Sequence, residues 1–270
     1  MRSDPNVRPA AVAGKFYTDD PDALRRQLED FLADTTEPDA EPPKAVIAPH
    51  AGYMFSGSAA ATAFARLRPG RGRIRRVVVL GPSHFVPFRG LAASSAQRFT
   101  TPLGEMRVDT EGLETALAQP GVAVNDRAHA REHSLETHLP FLQEVLGDVS
   151  IVPLVVGDAT PEEVGRVLAA LWGGDETAIA ISSDLSHFHD DTTARELDRA
   201  TAQAIEALRA DALRPQDACG FLPIGGLLWN AVQRHARVRT LALCNSSDVG
   251  APRDSVVGYG AFEMREAEAA

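Results

Sequence analysis

Val77-Val78-Val79-Leu80-Gly81-Pro82-Ser83-His84 is an apolar run that stops at a Gly-Pro pair and a histidine. An unbroken apolar run of this length, closed by turn residues, predicts a strand buried on both faces, here over Ile74 to Leu80. The same construction recurs at Ala45-Val46-Ile47-Ala48-Pro49-His50. It recurs again at Ala178-Ile179-Ala180-Ile181, which runs into Ser182-Ser183-Asp184-Leu185-Ser186-His187-Phe188-His189-Asp190. Strands buried on both faces belong to sheets with helices on each side, and in open α/β sheets ligands bind beyond the carboxyl ends of the strands. His50, His84, Asp184 and His187 are therefore placed to share one crevice, and a metal ion is the natural candidate for several imidazoles to share.

The rest of the chain fits that alternation. Leu24, Leu28 and Leu32 sit at helical spacing in Pro21 to Leu32, and the acidic, proline-rich stretch Thr35 to Pro43 leads into the strand ending at His50. Gly52 to Gly57 reads as a turn and the alanine-rich Ser58 to Leu67 as a helix. Further helices are expected at Thr110 to Leu117, Leu135 to Leu146, Pro161 to Trp172, Thr192 to Leu208 and Ile224 to His235. Strands are expected near Gly90 to Ser95 and at Ile151 to Val156, Thr177 to Ser182, Arg237 to Leu243 and Ser255 to Met264. The order predicts one α/β domain over residues 1–270, with a central, mostly parallel sheet covered by helices on both faces.

Composition agrees and narrows the function. A chain of 270 residues with 44% hydrophobic content can bury about three quarters of its extended surface in one core. A net charge of −10 argues against nucleic acid or an anionic membrane as the main partner. The one basic run, Arg66 to Arg76, is broken by Pro69, Gly70 and Gly72 and reads as a solvated loop. Met1-Arg2-Ser3-Asp4-Pro5 has no apolar leader, and nowhere do about 18 apolar residues follow one another, so a cytoplasmic protein is expected. Cys219 and Cys244 are too few for a disulfide framework and lack the spacing of a structural zinc site, which leaves any metal to histidine and carboxylate.

Six of the eight histidines, His50, His84, His133, His138, His187 and His189, fall in the segments quoted above or in Glu132-His133-Ser134-Leu135-Glu136-Thr137-His138-Leu139-Pro140; His129 and His235 stand apart. A lone histidine at a strand end is ordinarily a hydrogen-bonded structural residue. Two at equivalent strand ends with an Asp-x-x-His at a third favour a shared site. Glu132 and Glu136, one helical turn apart, would equally form a solvated face. The chain has no HExxH pair, phosphate loop or dinucleotide turn, and Gly81-Pro82-Ser83-His84-Phe85 lacks the last glycine of a nucleophile elbow.

Pro49-His50-Ala51-Gly52-Tyr53, Gly81-Pro82-Ser83-His84, Glu132 to Pro140, Ser182 to His187 and Val256-Val257-Gly258-Tyr259-Gly260 closely resemble the Memo family. The resemblance runs from about Arg8 to Met264, the expected core. Bacterial and archaeal members are known as AmmeMemoRadiSam system protein B, which implies a functional association with AMMECR-type and radical SAM proteins. The family is similar in fold to class III (LigB-type) extradiol dioxygenases, in which Fe(II) is held by two histidines and a glutamate while another histidine moves protons. Carried over by motif, His50 and His84 become metal ligands, and His187, oriented by Asp184, becomes the acid–base residue. Some members use a cysteine after Ser-Ser-x near the carboxyl terminus as a ligand. Here Ser246-Ser247-Asp248 is followed by Val249, so Asp248 is the expected third ligand. Tyr53, Glu132, His133, Glu136 and His138 are expected to line the pocket or stand behind its ligands.

The resemblance implies a metal-dependent enzyme, with Fe(II) the expected metal and copper or zinc the alternatives, acting on a small molecule by oxygen chemistry. A rival is a non-catalytic adaptor that uses the same pocket for a peptide or a metal. A third is metal-assisted hydrolysis.

Overall fold

The computed structural model describes residue 4, residues 6–36 and residues 38–267. Met1–Ser3 and Pro5, read above for a leader, and the end of the acidic tail lie outside the described residues, as does Glu37 of the expected connection. In chain order the strands are β1 (Val7–Arg8), β2 (Ala45–Ala48), β3 (Arg76–Pro82), β4 (Leu91–Ala93), β5 (Arg98–Thr101), β6 (Gly104–Arg107), β7 (Val122–Val124), β8 (Ser150–Val156), β9 (Thr177–Ser182), β10 (His187–His189), β11 (Arg237–Asn245) and β12 (Val256–Arg265). The helices are α1 (Pro21–Ala33), α2 (Tyr53–Ala65), α3 (Thr110–Leu117), α4 (Asp126–Ala130), α5 (Leu139–Leu146), α6 (Pro161–Ala170), α7 (Asp191–Glu206) and α8 (Phe221–Gln233).

Nine strands form one sheet in the order β10-β12-β2-β9-β3-β8-β4-β7, with β11 also paired to β12. Its centre, β2-β9-β3-β8, is parallel, as the apolar runs imply; β12 and β4 flank it antiparallel. The sheet is therefore mixed, with helices on both faces. Side-chain alternation divides each central strand between two cores. Val46, Val77, Val79, Ala178 and Ala180 pack toward α1, α2 and α5, while Ile47, Val78, Leu80, Ile179 and Ile181 pack toward α6 and α8. A small three-stranded sheet, β1-β5-β6, lies apart from it. No described helix is long and apolar enough to cross a membrane.

One expected boundary moves. The turn read at Gly52–Gly57 is the first part of α2, which begins at Tyr53 with Gly52 as its N-cap. Gly57 is there because the helix lies close to α1: a Cβ at that position would meet the Phe31 ring at 2.4 Å. The expected helix from Leu135 is a 3₁₀ turn at Glu136–His138 before α5, which carries Pro140 in its first turn.

The register positions the site. Ala48 pairs with Ser182, and Leu80 with Ile181, so β2, β9 and β3 end at nearly the same level. His50, Asp184 and His84 each lie two residues past one of those ends, on one edge of the sheet.

Candidate metal centre

His50, His84 and His133 each offer a donor nitrogen, and the three atoms lie within 4.8 Å of one another. Ring centroids are 5.0 Å apart for His50–His84, 5.3 Å for His50–His133 and 4.4 Å for His84–His133. A first-row ion bonded at about 2 Å to each ring needs donors roughly 3.3 Å apart, so small rotations of the rings would close the set. His50 forms the buried floor, whereas the side chain of His84 is 26% exposed and opens the pocket outward.

Two of the imidazoles are held through Nδ1. His50 Nδ1 lies 2.6 Å from Ser182 Oγ, and that hydroxyl gives its only proton to the Ser134 carbonyl at 2.6 Å. The Ser182 oxygen must therefore accept from Nδ1–H, which leaves His50 Nε2 as the unprotonated nitrogen. His84 Nδ1 donates to Glu132 Oε1 at 2.8 Å, and the other Glu132 oxygen accepts from the His84 backbone N–H at 2.7 Å. Burial alone would raise the Glu132 carboxyl, but the bonds from His84 and the neighbouring backbone hold it down to about 2. A carboxylate behind an imidazole fixes the ring and raises its basicity toward a metal. His133 differs: its Nδ1 is buried without a hydrogen-bond partner among the described residues, and Glu132 Oε1, 3.4 Å away, is not aligned for one.

Burial keeps His50 and His133 neutral, the form that ligates. Burial pushes His50 well below the usual imidazole range, with nearby His84 and His133 adding to it. Burial, then His84, pushes His133 down to about 4. A donor set of three imidazole nitrogens fits a transition-metal ion such as iron, copper or zinc.

The structure corrects three expectations. Asp248 is outside the histidine group: one oxygen accepts from Arg195 Nη2 at 2.6 Å, and the other caps the Asn245 N–H at 2.9 Å. The capping box of a short 3₁₀ turn occupies the carboxylate that the sequence offered as a ligand. Asp184 does not orient His187 by a hydrogen bond; it accepts from the His50 backbone N–H at 2.8 Å, while His187 Nδ1 donates to the Leu185 carbonyl at 2.8 Å. Cysteine is not remote from the site either. Cys219 Sγ lies 3.3 Å from His50 Nε2, held by the Asp184 N–H at 3.3 Å. Burial, with the Asp184 charge, pushes its thiol up to about 12. A groove of about 520 Å³ opens beside Cys219, between Pro82, Phe88, Phe221 and Pro223.

The remaining residues stand behind the pocket. Tyr53 donates from its hydroxyl to the Thr137 carbonyl at 2.6 Å, and His138 Nε2 donates to the Pro49 carbonyl at 3.2 Å. Glu136 is fully buried and binds the N-terminal segment through Arg8, Ala11, Val12 and Tyr17. Ser182 and Cys219 were missed by sequence reasoning. Ser182 lies inside a quoted motif and was readable there, whereas Cys219 is 169 residues from His50 and has only its place before the glycine that caps α8 to mark it.

Residues 8–263 match the family described as Memo-like protein. Proteins described as MEMO1 family protein from Sulfolobus acidocaldarius and Aquifex aeolicus are 33% and 32% identical, with 94% of this chain and 97% of each relative covered. A third, from Methanosarcina barkeri, is 33% identical over 95% of this chain and 99% of its own. An uncharacterised protein of known structure from Escherichia coli K12 is 15% identical, covers 81% of this chain and 98% of its own, and has a TM-score of 0.45, too low to bear on fold or function.

Proposed function

The chain belongs to the Memo-like protein family, and on that premise we propose that it holds one redox-active metal ion, Fe(II), on His50, His84 and His133 and acts on a small molecule bound beside it. The convergence of three imidazoles, His50 and His84 just past the parallel strands β2 and β3 and His133 on the segment after α4, carries this reading. Bound there, Fe(II) would supply open coordination positions for substrate and dioxygen. Ser182 and Glu132 keep the His50 and His84 lone pairs turned inward, and the buried floor at His50 excludes water. Asp184 holds the His50 backbone through its N–H. His187, bonded at Nδ1 to the Leu185 carbonyl, has no hydrogen-bond partner at Nε2 among the described residues, which leaves that nitrogen to carry a proton to or from a ligand. Cys219 places its sulfur beside His50 Nε2 and forms part of the wall of the adjoining groove.

Oxygen uptake by anaerobically iron-loaded protein, screened against catechols, keto acids and related small molecules, tests the reaction. His187→Ala should keep the metal and lower turnover by about 10² to 10⁴. Uptake that His187→Ala leaves intact removes His187 from catalysis. No uptake by fully loaded wild type favours the adaptor, in which the pocket binds its ligand without turnover.

A further inference from the structure

His50 and His84 are each oriented by a hydrogen bond that Nδ1, opposite the pocket, donates to Ser182 and to Glu132 respectively. His133 has no such bond at Nδ1, and it sits on an irregular segment between α4 and a 3₁₀ turn, where backbone alone sets its ring least well. Besides His50 and His84, two rings pack on it: Phe16, whose centroid is 4.7 Å from that of His133 at an interplanar angle of 44°, and, farther off at 5.8 Å, the exposed Phe85. We infer that Phe16, carried on an N-terminal strap locked by Glu136, positions His133 as the third metal donor. The inference rests on the three-imidazole reading and explains how its least supported member is held.

The strap is built from charge and backbone. The buried Glu136 carboxylate accepts from Arg8 Nη1, from the Ala11 and Val12 N–H groups at 2.8 and 2.9 Å, and from the Tyr17 hydroxyl at 2.7 Å. The same Arg8 donates to the His129 carbonyl from Nε and Nη2, each at 3.1 Å, and to the Glu132 carbonyl at 2.6 Å. One guanidinium thus ties the strap to the residues just before His133. Between the anchors at Val12 and Tyr17 the chain turns back on itself: Gly14 donates to the Tyr17 carbonyl at 2.7 Å with φ +76°, and Phe16 donates to the Val12 carbonyl at 2.9 Å. A side chain at position 14 would be strained in that conformation. The turn places Phe16 against His133, and the Phe16 carbonyl is fixed from the other side by the Tyr53 N–H at 2.7 Å. Tyr53 in turn donates to the Thr137 carbonyl, so the strap, α2 and the His133 segment close into one loop of contacts.

A positioning role predicts coupling between Phe16 and His133, which a merely structural role does not. The test is a double-mutant cycle on the full chain, read as the Kd for Co(II) under anaerobic conditions together with the visible absorption of the bound ion. His133→Ala should raise Kd at least about tenfold. Phe16→Ala should raise it about tenfold in the wild-type background, within the range for loss of a residue that orients a ligand, but less than about twofold in the His133→Ala background. Phe16→Leu, which keeps apolar volume and protects the fold, should behave like Phe16→Ala, and Phe16→Tyr, which keeps the ring face, should restore wild-type affinity and spectrum. Equal losses from Phe16→Ala or Phe16→Leu in both backgrounds, or no loss in either, overturn the inference and leave the three-imidazole site standing. A His133→Ala variant with unchanged Kd and spectrum overturns that site's third ligand and the inference with it.

Discussion

Glu132 is not one of the three donors yet organises the pocket, since its two oxygens take four N–H groups: the His84 ring and the backbones of His84, His133 and Ser134. Glu132→Gln places an amide NH₂ where donors already point and removes the charge behind His84. It should raise the Kd for Fe(II) by about 10- to 100-fold in an anaerobic titration, and an unchanged Kd would show that His84 needs no support. Residues such as His50 and His84 were legible because an apolar run is hard to misread and its end is a definite place. Asp248 was not, because a carboxylate that caps a turn and one that binds a metal are the same letter. Cys219 was invisible because its nearness to His50 is created by the sheet, not by spacing along the chain.

At the scale of elements, the long helices and central strands follow from periodicity, and the misses are short or locally ambiguous. The β5–β6 hairpin and β10 are too brief to show a period, and the start of α2 was hidden by two glycines that resemble turn residues. Glycine in a helix also marks close packing, as between α6 and α8. A Cβ at Gly226 would lie 2.4 Å from Val164 Cγ1 and 3.0 Å from the Gly165 backbone nitrogen. Gly226→Ala should therefore lower stability by about 1–3 kcal/mol through overpacking, despite its better helix propensity. The midpoint of urea unfolding checks it; an unchanged or raised midpoint would mean that the two helices separate at little cost.

For the whole molecule, burying imidazoles in their neutral form ties stability to pH. His129 and His138, outside the three-histidine group, are both pushed down to about 4, chiefly by burial. In the unfolded chain each takes a proton near 6.5, whereas the fold refuses it until about 4. Stability is complete above about pH 6.5 and falls as the pH drops toward 4, by up to roughly 3 kcal/mol for each group. Asp184 and Asp198, whose carboxyls burial raises, oppose this at the acidic end. The metal-free protein should melt at least about 5 °C lower at pH 5 than at pH 7.5, and His129→Gln should flatten that dependence; a Tm constant between those values would contradict it.

The most direct measurement of the central claim is an anaerobic calorimetric titration of Fe(II) into the wild type and the single variants His50→Ala, His84→Ala, His133→Ala and His235→Ala. One site per chain is expected in the wild type, sharply weakened by each of the first three substitutions, because each removes a donor, and untouched by the fourth. Equal binding by all five proteins, or none by the wild type, would contradict a metal centre at this edge of the sheet.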